Sequence, residues 1–202
     1  VKSVESHVLR QLYNDVAAGL MGAQEVIAPS GLGLGGRGEI VGVGDSGLDT
    51  GNPATIHPDF AGRVAALRSW PVSSVYAGVV TNVGGDDGPA DTRSGHGTHV
   101  TGSICGSGAA SQAALGIAIR GLAAEAQVVF QAIEQTLQWT DAYRQDYLRR
   151  FGRNPPSSGL AGLPADLGPF FQQSYDAGAR VHNNSWGGGD FGEYDSYAEF
   201  VD

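Results

Sequence analysis

Short apolar runs along the chain alternate with segments in which apolar residues recur at helical spacing. The runs predict β-strands at residues 40–43, 63–70, 127–133 and 179–184. The helical spacing predicts helices within residues 1–23, at 96–106, in the amphipathic stretch 139–153 and at 167–177. Strands that alternate with helices in this way favour an α/β fold with a parallel sheet.

Glycine-rich and acidic segments separate these elements and read as loops at residues 31–38, 82–97 and 154–163. Glycine accounts for 32 of the 202 residues, without the Gly-X-Y period of collagen. Hydrophobic residues make up 41% of the chain and charged residues 16%, which excludes a disordered polypeptide. The glycine excess therefore indicates tight turns and places where two backbones approach closely.

The charge pattern and the single cysteine exclude several classes of function. The net charge is −9 and no basic patch is large enough to predict nucleic-acid binding. No apolar run approaches the ~18 residues of a membrane span, so we expect no membrane partner. Cys105 is the only cysteine, which excludes an internal disulfide and leaves the redox compartment open.

Candidate catalytic groups follow two of the predicted elements. Asp45 ends the first strand, and His96 begins a helix after the acidic loop. Because active groups gather at the carboxyl ends of parallel strands, these two residues can meet in the fold. A buried carboxylate beside a histidine fixes its tautomer and stabilises the imidazolium that forms when it accepts a proton. The helix start also disfavours a protonated His96, which keeps it available as a base.

Four motifs, in this order, resemble the subtilisin-like serine proteases. They are VGVGDSGLDTG at 41–51, HPDF at 57–60, SGHGTHVTG at 94–102 and NNSWGG at 183–188. The resemblance is strongest to the larger bacterial alkaline subtilases. It implies a subtilisin-like α/β domain, a parallel sheet flanked by helices, of which residues 14–202 are the N-terminal part. Residues 1–13 are then a tail or a propeptide remnant.

The resemblance also assigns roles to individual residues. It implies that Asp45 and His96 are the aspartate and general base of an Asp/His/Ser triad. Asp49 and His99 are then neighbours without a catalytic role, and we expect His99 to be buried for packing. Two backbone segments would hold an extended polypeptide substrate as an added strand. One is Ser185, Trp186 and Gly187; the other is Gly159, Leu160, Ala161 and Gly162.

The serine nucleophile and the oxyanion asparagine of the family are not found in their expected contexts. The only methionine is Met21, so the chain has no GTSMA-like segment, and none of its asparagines lies in an AAGN-like one. Ser185 is not a substitute, because its motif belongs to the substrate strand. We therefore expect a complementary C-terminal chain or segment to carry the serine, and this chain alone to be inactive.

Alternative interpretations remain open at this point. The chain could be a non-catalytic pseudoprotease or peptide-binding fragment, or a metallohydrolase that uses His96 and His99. No cofactor is needed for the chemistry, but structural calcium is possible, with Asp86, Asp87 and Asp91 as candidates beside a plain solvated loop. The stretch 136–158 looks like an insertion that forms a lid, a docking surface or a surface helix. Secretion is expected only from the habit of the family.

Overall fold

The computed structural model describes residues 14–28, 30–188 and 198–199. The predicted tail at residues 1–13 lies outside them. The strands are β1 (Ile40–Asp45), β2 (Val64–Ser69), β3 (Gln127–Ala132), β4 (Gln135–Thr136), β5 (Ser158–Gly159) and β6 (Val181–Asn184). The helices are α1 (Asn14–Leu20), α2 (Ala23–Ile27), α3 (His96–Cys105), α4 (Ala109–Leu115), α5 (Asp141–Phe151) and α6 (Gly168–Asp176). Within the described residues, no helix is long and apolar enough to cross a membrane.

Four strands form a parallel sheet in the order β2-β3-β1-β6. The predicted α/β class, with a parallel sheet flanked by helices, is therefore confirmed. Asp45 lies opposite Ala132 of β3, and Gly44 lies opposite Asn184 of β6. This register brings the carboxyl ends of three strands to one edge of the sheet, where functional groups of open α/β sheets gather.

The two faces of β1 differ in size, and this difference directs Asp45. A Cβ atom on Gly42 would overlap the ring of His182, and one on Gly44 would overlap the ring of Phe170. Glycine is therefore needed on the face that packs against α6. Because side chains alternate along a strand, Asp45 lies on the opposite face, with the fully buried Val43.

Helix α3 covers that opposite face of the sheet. Val100, Ile104 and Cys105 pack with Val41 and other core residues in one hydrophobic cluster. Cys105 is 1% exposed, and its burial raises the pKa of the thiol despite a hydrogen bond with Arg63. The thiol therefore stays protonated and acts as a small buried apolar group.

A second hydrophobic cluster anchors the stretch that includes α5. Val72, Val80, Leu137 and Ala161 form its buried part, and Trp139 packs against them. Trp139 also begins a row of rings along α5, with centroid distances of 4.5, 6.0 and 4.5 Å between successive members. The amphipathic helix predicted here is confirmed. The side chain of Thr140 caps its start, and Gly152, with a φ of 65°, ends it.

Several short elements were not predicted from the sequence, among them α2, which follows the predicted helical region at 1–23. Helix α4 is a short run of small residues bounded by Gly108 and Gly116, which have φ angles of 76° and 72°. Its small side chains show no apolar periodicity, so only the flanking glycines could have indicated it. Strands β4 and β5 pair antiparallel over two residues each, which is too short for a pattern of alternation.

Burial of His182 in the sheet makes the stability of the fold depend on pH. Desolvation lowers the pKa of His182 from 6.5 to about 4, although a hydrogen bond with Asn184 acts in the opposite direction. Between these two values the unfolded chain binds more protons than the folded chain. The contribution of His182 to the free energy of unfolding is therefore fully present above pH 6.5 and is lost as the pH falls towards 4.

We predict that the free energy of unfolding decreases by up to about 3 kcal/mol between pH 6.5 and 4 because of this group. Urea titrations at several pH values measure the decrease. The variant His182→Gln, which keeps a polar side chain but does not titrate, should show a flatter pH profile. The control His99→Gln removes an exposed histidine. Equal slopes for the two variants and the parent would contradict the prediction.

Candidate active site

Asp45 is the last residue of β1 and is 2% exposed. Its Oδ1 accepts hydrogen bonds from the backbone N–H of Ser46 at 2.7 Å and from Nδ1 of His96 at 2.8 Å. Its Oδ2 is buried and accepts no hydrogen bond from the described residues. A buried carboxylate with so few donors stabilises a positive charge that forms on the neighbouring imidazole.

His96 is the first residue of α3, and its side chain is 53% exposed. The hydrogen bond to Asp45 assigns the proton to Nδ1 in the neutral ring. Nε2 is then the nitrogen that can accept a proton from a group at the exposed side of the ring. The structure thus brings together the two residues that the sequence selected as a catalytic pair, although 51 positions separate them.

The close approach of α3 to the end of β1 depends on glycine. A Cβ atom on Gly97 would overlap the carbonyl oxygen of Gly47. A Cβ atom on Gly47 would come within 2.7 Å of the backbone of Ala90, in the loop before α3. Gly95 has a φ of 69°, which side chains rarely adopt. The glycines of DSG and GHG therefore permit the contact between the segments that carry Asp45 and His96.

The segment after β6 lies beside Asp45. Trp186 donates a hydrogen bond from its indole Nε1 to the carbonyl oxygen of Gly44 at 2.9 Å. Ser185 and Gly187 on either side of it are exposed. The hydrogen bond holds this segment at the end of β1, where the family resemblance predicts a substrate strand; the substrate-binding role of the three residues stays a prediction.

The other predicted wall is attached to the end of β3. Gly162 donates its N–H to the carbonyl oxygen of Ile133 at 2.8 Å, and Ile133 donates to that of Asp45 at 2.8 Å. Ala161 is fully buried, and its carbonyl oxygen accepts from Ser73 at 2.7 Å. Gly162 is also buried, whereas Gly159 and Leu160 are partly exposed. Only Gly159 and Leu160 are therefore accessible enough to meet a substrate, and their role stays a prediction.

The acidic loop uses its carboxylates within the protein. Asp86 accepts from Ser69 at 2.6 Å and from Gly88 at 2.9 Å, and Asp87 is 3.6 Å from Arg93. Asp91 accepts hydrogen bonds from the first turn of α3. Each of these carboxylates thus has a protein partner of its own. Calcium binding by this chain stays a prediction.

The expectation that His99 is buried is wrong. His99 is exposed on α3, one turn beyond His96. It lies on the solvent side because the core side of α3 is occupied by Val100, Ile104 and Cys105. The described residues contain no group of three or more histidine, cysteine or acidic side chains that could hold a metal ion. The metallohydrolase alternative therefore has no site in the described part of the chain.

The hydrogen bond between Asp45 and His96 can be tested by proton NMR. A proton held on Nδ1 at 2.8 Å from a buried carboxylate should give a far-downfield resonance that exchanges slowly. We predict that Asp45→Asn abolishes this resonance, because an amide can donate to Nδ1 and favours the other tautomer.

The matched control is Asp49→Asn, which changes the neighbouring aspartate. Asp49 has a φ of 45°, and asparagine tolerates this conformation well. Its Oδ2 accepts from the backbone of His57, a contact that an amide oxygen can also make. The resonance should persist in this variant. Its persistence in Asp45→Asn, or its absence from the parent, would contradict the observed geometry.

Comparison with known proteins identifies the family of this chain. The profile of the subtilase family matches residues 36–202. Two relatives from Dictyostelium discoideum are the serine protease/ABC transporter B family proteins tagD and tagB. Each is 30% identical to this chain over 173 residues, which cover 84% of the chain but only 8% of the relative. This chain is a member of the subtilase family of serine peptidases.

Proposed function

We propose that this chain supplies the aspartate and the histidine of a serine endopeptidase of the subtilisin type. The observation that carries the proposal is the 2.8 Å hydrogen bond between Asp45 and Nδ1 of His96. It lies at the sheet edge from which the segments around Trp186 and Gly162 begin. Asp45 and His96 are called the catalytic pair below.

In the proposed reaction, His96 acts first as a base and then as an acid. Its Nε2 accepts the proton of a serine hydroxyl as the serine oxygen attacks the carbonyl carbon of the peptide bond. Asp45 stabilises the imidazolium, which then gives the proton to the leaving amine as the C–N bond breaks. Water, deprotonated by the same nitrogen, hydrolyses the acyl-enzyme and releases the serine. A positioned general base of this kind contributes about 10²–10⁴-fold to the rate.

The serine and the oxyanion donors would come from a complementary C-terminal chain or segment. The free edge of β6 supports this proposal, because β6 pairs with β1 on one side only within the described sheet. Val181 on this strand is 65% exposed, and Tyr175 of α6 beside it is 55% exposed. A cavity of about 340 Å³ lies between them. An apolar edge of this kind is completed by another strand or aggregates.

The relatives support the serine peptidase class, because both carry the term serine protease in their names. The chain spans a small part of their length, so the activity of a whole protein that contains it is itself part of the proposal. The substrate would be an extended polypeptide, held by main-chain hydrogen bonds between the segments around Trp186 and Leu160. Such binding reads the backbone and gives loose sequence specificity.

Peptidase activity tests the proposal on the protein that contains this chain together with the serine-bearing segment. We predict that this protein hydrolyses casein and is labelled by a fluorophosphonate, whereas the 202-residue chain alone is not labelled. Asp45→Asn should lower kcat by about 10⁴-fold, since it leaves the histidine in the wrong tautomer.

The control His99→Gln changes the other histidine of α3 and should retain full activity. An unlabelled protein that binds peptides without cleaving them would reject the endopeptidase and favour the pseudoprotease. Equal losses in Asp45→Asn and His99→Gln would reject the roles assigned to the catalytic pair.

Binding of modified peptides to this chain tests the proposed main-chain recognition. We predict that N-methylation of alternate amides, on the edge that faces a wall, weakens binding about 5–10-fold for each hydrogen bond lost. Methylation of amides outside the part of the peptide that lies between the two walls is the matched control and should have little effect. Isothermal calorimetry measures both affinities. An equal response to the two patterns would contradict binding as an added strand.

A further inference from the structure

Asp91 lies where the loop before α3 meets the turn after β1. Its Oδ1 accepts from the hydroxyl of Ser46 at 3.2 Å and from the backbone N–H of Gly95 at 3.0 Å. Its Oδ2 accepts from the N–H of Thr98 at 2.9 Å and from the hydroxyl of Thr98 at 2.7 Å. Both carboxylate oxygens are thus held by charge-assisted hydrogen bonds, which are stronger than neutral ones.

The hydroxyl groups of Ser46 and Thr98, which donate to Asp91, each accept a further hydrogen bond from the backbone of the other segment. The hydroxyl of Ser46, beside β1, accepts from the N–H of Gly97 in α3 at 2.8 Å. The hydroxyl of Thr98, in α3, accepts from the N–H of Asp49 after β1 at 2.8 Å. The backbone of Asp91 also donates to the carbonyl of Asp49 at 2.9 Å. The carboxylate of Asp91 therefore links two segments, the turn after β1 that follows Asp45 and the first turn of α3 that carries His96.

The start of α3 depends on these external contacts. Its N-cap residue is Gly95, which has no side chain to accept the free N–H groups of the first turn. The N–H groups of Gly97 and Thr98 are instead satisfied by Ser46 and Asp91. A negative charge at this position also favours the helix dipole. His96 is the first residue of this turn. The contacts that fix the turn therefore also fix the position of the imidazole ring.

We propose that Asp91 is a positioning residue, which holds His96 at hydrogen-bonding distance from Asp45 through Ser46 and Thr98. Its effect on catalysis rests on the function proposed above. Its effect on the hydrogen bond within the catalytic pair does not, because that bond can be observed in this chain without any reaction.

Asp59 provides a matched control for a purely stabilising role. Its Oδ1 accepts from the backbone N–H of Ala110 at 2.8 Å, in the first turn of α4. Asp59 therefore holds the start of a neighbouring helix as Asp91 holds the start of α3. Asp59 makes no contact with the catalytic pair among its hydrogen bonds. Asp59→Asn should lower the stability of the fold without moving His96.

The decisive variant is Asp91→Asn, which keeps one oxygen acceptor but directs an amide group at the donors of α3. We expect it to weaken or abolish the downfield Nδ1 resonance of His96, whereas Asp59→Asn retains it. In the protein that contains the serine-bearing segment, Asp91→Asn should lower kcat by about 10²-fold and leave KM unchanged. A change of this size is expected for a misplaced catalytic group.

Ser46→Ala provides a second route if Asp91→Asn does not fold. It removes only the hydroxyl that links the turn after β1 to the carboxylate and to Gly97. Ser46→Ala should also weaken the resonance. The double variant should lose less free energy of unfolding than the sum of the losses in the two single variants. An unchanged resonance in the folded variants would overturn the proposal. Loss of the resonance in Asp59→Asn as well would also overturn it.

The two proposals can fail separately. A parent protein without peptidase activity would reject the proposed function, and the NMR comparison of Asp91→Asn with Asp59→Asn would still decide the positioning role. Conversely, an active parent in which Asp91→Asn keeps both the resonance and kcat would reject the positioning role alone.

Discussion

The first turn of α3 must lie within hydrogen-bonding distance of the end of β1, and the rest of the site depends on this contact. The contact brings Nδ1 of His96 to 2.8 Å from the buried carboxylate of Asp45. Van der Waals limits make glycine necessary at Gly47 and Gly97, since a Cβ atom at either position would overlap backbone. The hydrogen bonds of Asp91 then hold the two segments together. The same short region therefore contains the close backbone packing, the cap of α3 and the hydrogen bond between Asp45 and His96.

The sheet extends the same constraint to both predicted substrate walls. The segment around Trp186 is bonded to Gly44 of β1, and the segment around Gly162 is bonded to Ile133 after β3. Gly44 directly precedes Asp45 in β1, and Ile133 donates its N–H to the carbonyl oxygen of Asp45. Both predicted walls are therefore held by hydrogen bonds to the ends of the strands that carry or flank Asp45.

Much of the fold could be read from local patterns, and the failures have physical causes. The two central strands, β1 and β3, were predicted because their apolar runs are largely buried on both faces. The outer strands β2 and β6 are only partly buried, and their short runs between turn residues were enough to predict them. Helix α4 was missed because small residues such as Ala109 give no periodic signal. His99 was wrongly expected to be buried, because helical spacing does not say which face meets the core. The contacts of Asp91 were missed because its hydrogen-bond donors come from two distant segments, Thr98 in α3 and Ser46 after β1.

By itself the sequence determined the fold class, the family resemblance and the identity of Asp45 and His96 as partners. These follow from short motifs and from apolar patterns, which depend only on neighbouring residues. Only the tertiary structure decided that Ala161 is buried, that Asp86 of the acidic loop accepts a hydrogen bond from Ser69, and that Asp91 caps α3. Those outcomes depend on contacts between residues far apart in the chain. Long-range packing selects among local possibilities that are equally acceptable in the sequence.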